Sequence, residues 1–147
     1  MLASVSPFQP PSGSALVPHS EGGFVSGGVR LLLRLEGLAA LAVSLALYAH
    51  GGFSWPIFAL FLFAPDLSML DYLAGPRAGA AAYNLVHTYV LALALTLAGF
   101  FGTLPAFTAA GLILIAHIGL DRALGYSLKY STAFGDTHLG RIGRRRA

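Results

Sequence analysis

AGAAAYNLVHTYVLALALTLAGFF, residues 78–101, contains no Asp, Glu, Lys or Arg. At a rise of about 1.5 Å per helical residue, this stretch is long enough to cross the ~30 Å hydrocarbon core of a bilayer. Three further apolar stretches are marked off by Gly and Pro. Residues 31–49, LLLRLEGLAALAVSLALYA, stop at His50, Gly51 and Gly52, where helix propensity collapses. Residues 55–74 follow Ser54, a good N-cap, carry Pro56 in the first turn where a missing N–H does no harm, and end at Gly75 and Pro76. Residues 105–128 follow a short turn through Gly102, Thr103 and Leu104. The expected fold class is all-α, a polytopic membrane protein built as a bundle of four transmembrane helices at about 31–49, 55–74, 78–101 and 105–128. A disordered N-terminal arm, residues 1–29, rich in Pro, Ser and Gly, precedes it, and a polar, basic tail, residues 129–147, follows.

Composition excludes the soluble alternatives. Of 147 residues, 56% are hydrophobic and 10% charged, against roughly 25% charged in soluble domains. The absence of cysteine rules out a disulfide framework, a zinc ribbon and a thiol nucleophile. No glycine-rich strand-to-helix loop is present to cradle a dinucleotide. The net charge of +3 is placed asymmetrically. Arg30 and Arg34 open the first span, Arg77 lies between the second and third, and Arg122, Lys129, Arg141 and Arg144 to Arg146 follow the fourth. By the positive-inside rule both termini and the 75–77 turn are cytoplasmic, as in a multi-pass inner-membrane protein, and Phe53, Trp55 and Phe58 form an outer aromatic belt. The expected partners are the bilayer and, for Arg144 to Arg146, anionic headgroups. Three arginines on a tail make no nucleic-acid recognition surface.

Ionisable groups within the spans require an explanation, since one at a helix centre costs at least ~2.5 kcal/mol unless paired or hydrated. Asp66 is about 16 Å below Trp55, His87 about 14 Å from Ala78 and His117 about 18 Å from Pro105, so all three reach one mid-bilayer level. Asp71, Asn84 and Asp121 are placed roughly one turn closer to the cytoplasm. His117 and Asp121 are spaced i,i+4, and Asn84 and His87 i,i+3, so each pair shares a helix face. Pro65 leaves the Phe61 carbonyl without a donor and predicts a kink beside Asp66. Two histidines with aspartates are the ligand types of a catalytic zinc or iron site. His87, His117 and Asp121 or Asp66 are the expected ligands, with the remaining carboxylate as general base and Asn84 or Arg122 steadying an oxyanion. Each residue also has a purely structural alternative. Asp121 and Arg122 can pair with Arg77 or Glu36 to fix helix register, the histidines can hydrogen-bond across helices as neutral groups, and Asp66 can be a protonated scaffold residue.

Six segments taken in order resemble one family: residues 34–37 (RLEG), 64–70 (APDLSML), 83–89 (YNLVHTY), 117–122 (HIGLDR), 125–130 (GYSLKY) and 137–139 (THL). Together, over about residues 30–142, they resemble DUF4260, a domain-of-unknown-function family of small bacterial integral membrane proteins. The resemblance implies a four-helix membrane protein and singles out Glu36, Asp66, Asn84, His87, His117, Asp121, Arg122, Lys129 and His138, without implying an activity. Asp71 departs from the family pattern, which has a small residue there, so Asp66 is the better carboxylate. The resemblance also draws attention to the tail. Tyr130, Phe134 and Leu139 can fold it under the bundle, bringing His138 in as a fourth metal ligand or proton carrier; otherwise the tail lies on headgroups. The leading functional expectation is a metal-dependent membrane-embedded hydrolase acting on a lipid or other amphipathic substrate. The alternatives are a small proton- or cation-coupled transporter subunit, expected to be a homo-oligomer because four helices enclose little volume, and a structural membrane module with a buried polar network.

Overall fold

Leucine and phenylalanine are prominent on the outside of this protein, while His117, Ser44 and Thr137 are fully buried. A computed structural model describes residue 25, residues 27–132 and residues 135–141. It contains α1 (Gly27–His50), α2 (Trp55–Phe61), a 3₁₀ segment (Ala64–Ala74), α3 (Pro76–Val86), α4 (Tyr89–Phe101) and α5 (Pro105–Leu124), then a hairpin of β1 (Asp136–Thr137) and β2 (Gly140–Arg141). The fold is all-α apart from that hairpin, in which Asp136 opposes Arg141 and Thr137 opposes Gly140. Four spans, Gly27–His50, Trp55–Ala74, Pro76–Phe101 and Pro105–Leu124, are long and apolar enough to cross a membrane. Leu73 is 91% exposed and Phe101 78% exposed, whereas His117, Ser44 and Thr137 have almost no exposed surface. Water would penalise such a surface, and hydrocarbon does not. The arm to residue 24 and the Arg144 to Arg146 cluster lie outside the described residues.

The central element is α5, with α1 packed on one side and α4 on the other. Close approach to α1 depends on glycine. A Cβ at Gly37 would sit 2.8 Å from the Gly119 carbonyl oxygen, and one at Gly119 would sit 2.7 Å from the Gly37 carbonyl oxygen. Tyr48, Phe58, Leu112, Ile113 and Ala116 form one buried cluster, and Ala92, Leu114 and Ile118 form a second where α4 meets α5. On the other side of the bundle, α3 packs along the 3₁₀ segment.

Two expected continuous helices are broken. In the second span, α-helical geometry stops at Phe61 and resumes as a 3₁₀ helix from Ala64. Pro65 cannot donate a hydrogen bond, and Ser68 Oγ donates to its carbonyl at 2.7 Å, both of which favour tighter local turns. In the third span, which opens at Pro76, the helix ends at Val86, and Thr88 turns extended and caps a new helix by accepting from the Val90 N–H at 3.3 Å. Apolar periodicity carries straight through this point, so only Thr88 as an N-cap signalled the break. The ends also shift. The first helix opens at Gly27, within the expected arm, and the fourth ends at Leu124, where Gly125 takes a left-handed conformation with φ 99°.

Replacing Gly119 with Val should force α1 and α5 apart and cost about 1–3 kcal/mol, seen as a lower midpoint of thermal unfolding in detergent. Gly28→Ala should not lower that midpoint, because no atom lies within 4 Å of a Cβ added there.

Candidate metal centre

The interruptions in the second and third spans meet beside α5. His87 is at the C-terminal end of α3, where Val86 closes the helix, and Asp66 is in the first turn of the 3₁₀ segment. His117 and Asp121 project from consecutive turns of α5. The Nε2 atoms of His87 and His117 are 3.0 Å apart. Asp66 Oδ1 lies 3.5 Å from His87 Nε2 and 3.6 Å from His117 Nε2. Asp121 Oδ2 lies 3.7 Å and 3.8 Å from the same two nitrogens. All four donor atoms fall within 4.8 Å of one another. Tetrahedral coordination at ~2.0–2.2 Å places ligand atoms about 3.3–3.6 Å apart, close to the His–His and His–Asp spacings here.

Hydrogen bonding prepares the set for a cation. His87 Nδ1 lies 2.9 Å from the Tyr83 carbonyl oxygen. Only an N–H can satisfy that contact, so neutral His87 presents a lone pair at Nε2. Among the described residues His117 Nδ1 is buried without a hydrogen-bond partner, which leaves Nε2 as the ring's point of polar contact there. With both rings neutral, at most one N–H faces two carboxylates and a second imidazole lone pair. A divalent cation would supply the missing positive charge and neutralise both aspartates.

The carboxylates are held differently. Tyr83 donates its hydroxyl to Asp121 Oδ2 at 3.1 Å, and its ring stacks on His87 with centroids 3.6 Å apart. Asp121 is 16% exposed and Asp66 35%. Asp66 meets the two imidazole nitrogens only at 3.5 and 3.6 Å, and with both rings neutral at most one of them carries a proton. Asp121, expected one layer lower, therefore joins the histidine level, while Asp71 is exposed.

The sequence matches DUF4260, a domain of unknown function, over residues 30–142. The chain belongs to that family. No curated protein and no solved structure matches it. All four residues of this DUF4260 centre lie inside the matched span.

Other expected site residues are placed elsewhere. Asn84 receives the backbone N–H of Lys129 on Oδ1 and donates from Nδ2 to the Lys129 carbonyl, both at 2.8 Å. It holds down a strap after α5. Arg122 lies over the Tyr89 ring at 4.3 Å. His138 is outside the four-residue cluster, with Nε2 3.4 Å from Ser127 Oγ. Its backbone N–H bonds the Leu128 carbonyl at 3.2 Å, and Thr137 and Leu139 beside it are fully buried. Of the expected anchors, Leu139 is buried, whereas Tyr130 is exposed and Phe134 lies outside the described residues. Composition alone did not show the role of Tyr83 or of Lys129, whose Nζ lies 4.3 Å above the Tyr83 ring and 5.2 Å from that of Tyr72. Burial pushes the Lys129 ammonium below the usual lysine value, with Asp66 and Asp121 pulling it back up. Burial and the Arg122 charge push His138 below the usual histidine value.

Removing the Asn84 amide should release the strap. Asn84→Ala in this DUF4260 protein should speed limited proteolysis around residues 126–132 while the spans keep their helical circular dichroism. Acidification should act in the same direction. With the folded pKa of His138 lowered, the released strap binds a proton first as pH falls below the ordinary histidine value. Strap stability is thus full above that value and lost as pH drops through the folded one, and His138→Gln should flatten the dependence of cleavage rate on pH.

Proposed function

We propose that the protein is a membrane-embedded, metal-dependent hydrolase that cleaves a carboxylic ester of an amphipathic substrate, in the cytoplasmic half of an inner membrane. The reading is carried by two imidazole nitrogens and two unequally held carboxylates converging within 4.8 Å. Structural zinc sites close all four positions with protein ligands, whereas catalytic ones keep one open. The hydroxyl of Tyr83 fixes Asp121, while Asp66 is more exposed and lacks such support. His87, His117 and Asp121 would therefore hold zinc or iron, and Asp66 serves as general base. The ion, when bound, supplies Lewis acidity to the substrate carbonyl and lowers the pKa of water.

Asp66 takes one proton from water as the water oxygen bonds to the ester carbon. The ester C–O bond then breaks, and Asp66 returns the proton to the departing alkoxide, leaving a carboxylic acid and an alcohol. Tyr83 keeps Asp121 in place and orients His87 by stacking, and Lys129 adds positive charge beyond the Tyr83 ring. The placement of Arg30, Arg34, Arg77, Arg122 and Lys129 supports a cytoplasmic orientation for the end nearer the centre. Transport finds less support, because a conduction path needs polar side chains towards both faces and the opposite halves of the spans are almost purely Leu, Ala, Phe and Val, with no Asp, Glu, Lys or Arg.

The test is elemental analysis of untagged protein in detergent together with hydrolysis of a nitrophenyl dodecanoate probe. Near-stoichiometric metal is expected, lost in His87→Ala and His117→Ala with helicity retained. Asp66→Asn should keep the metal and lose on the order of 10² to 10⁴ in rate. Protein that takes up no zinc, iron or manganese, or an Asp66→Asn variant of full activity, overturns the reading.

A further inference from the structure

Ala106, Ala110, Ile113 and Leu114 fall at i, i+4, i+7 and i+8 on α5, and the same stripe continues to His117 and Asp121. One helix face is thus hydrocarbon over its first half and carries the candidate centre over its second. The hydrocarbon half is part of the lining of a groove of about 540 Å³, within the ~300–1,000 Å³ usual for small-ligand sites. Phe61 of α2 and Leu95 of α4 also line it. Its boundary towards the centre includes Pro65 and Val86, the residues immediately before Asp66 and His87. At the far end, Tyr48 donates its hydroxyl to the Ser54 carbonyl at 2.8 Å, so that hydroxyl is already committed.

We infer that this groove binds one acyl chain of a lipid and delivers the carbonyl at its head to the His/Asp centre. A ligand in the groove meets almost only C–H groups, so apolar contact and shape must recognise it. The medium around four membrane-spanning helices consists of such chains. Alanines at 106, 109 and 110 let a thin chain lie close to the α5 backbone. The distance from Ala106 to Leu114 is about 12 Å along the helix. With the chain towards the opposite face, the polar end of the lipid lies at the end that carries Arg77 and Lys129. The fate of the ester rests on the hydrolase reading above; the seat of the chain does not.

The two are separated by photolabelling full-length protein in mixed micelles with hexadecanoic acid bearing a diazirine near its methyl end. Label is expected on peptides containing Phe61, Leu95 and Ala110. Ala110→Phe, at an exposed position that can take a larger side chain, should lower it about tenfold. Leu97→Phe, on the exposed face of α4, should leave it unchanged. His87→Ala should keep the label whatever happens to metal and hydrolysis, so loss of the reaction alone leaves the groove standing. In catalytically active protein, Ala110→Phe and Ala106→Leu should each shift preference from hexadecanoyl towards octanoyl esters by about tenfold. Label spread evenly over outward residues such as Leu60 and Phe100 and indifferent to Ala110→Phe overturns the inference. So does crosslinking of the same peptides to a second copy of the chain.

Discussion

Polar atoms surrounded by hydrocarbon cannot turn to water, and this constraint shapes every irregular feature of the protein. The 3₁₀ segment and the break after Val86 free backbone groups that a lipid-facing helix could not leave unsatisfied. At the second break the Tyr83 carbonyl takes both the backbone N–H and Nδ1 of His87, and the Thr88 hydroxyl takes the exposed Val90 N–H. The irregular backbone and the ionisable side chains occur together because each makes the other tolerable. A cluster rich in lone pairs gives the broken helices a polar interior to line, and the breaks set the acid and the imidazole at a common depth.

The glycine contact between α1 and α5 has a second effect. With no side chain between Gly37 and Gly119, the α1 backbone lies against α5, and Arg34 Nε reaches the Ala123 carbonyl at 2.8 Å. The last turn of α5, which carries Asp121, is thereby held from outside the centre while Tyr83 holds Asp121 from inside. Packing and polar support thus act on the same turn, as a site that must keep donor atoms within a fraction of an ångström requires.

Much of this was legible in the sequence. The spans followed from apolar length and Gly/Pro punctuation, and the convergence of Asp66, His87 and His117 followed from counting residues along antiparallel helices. The kink at Pro65 was visible because proline lacks a donor, but the conversion of the following eleven residues, Ala64–Ala74, to a 3₁₀ helix was not. Pro65 and Ser68 bias only its first turn, and the rest of the segment packs along α3, a contact that spacing does not reveal. The break at His87 was hidden by hydrophobic periodicity running through it, and Thr88 alone is a weak signal within an apolar stretch. Asn84 and Arg122 were assigned to chemistry on residue type. In the structure Arg122 of α5 lies over the Tyr89 ring of α4, and Asn84 holds the Lys129 backbone in a strap whose path after Gly125 could not be drawn from sequence spacing.

The central place of α5 also bears on how the molecule is made. It supplies two of the four residues of the centre and the contact surfaces for both α1 and α4, yet it is the last of the four spans in chain order. Chains emerge from the ribosome at roughly 5–20 residues per second, N-terminal segments first. For the seconds before α5 follows, Asp66 and His87 face a membrane without their partners, and α1 lacks the helix against which Gly37 fits. The first three spans can enter the bilayer during synthesis, but the bundle closes only at the end. Quality control that recognises unpaired polar groups within a membrane therefore has a window in which every nascent copy of this protein is a substrate.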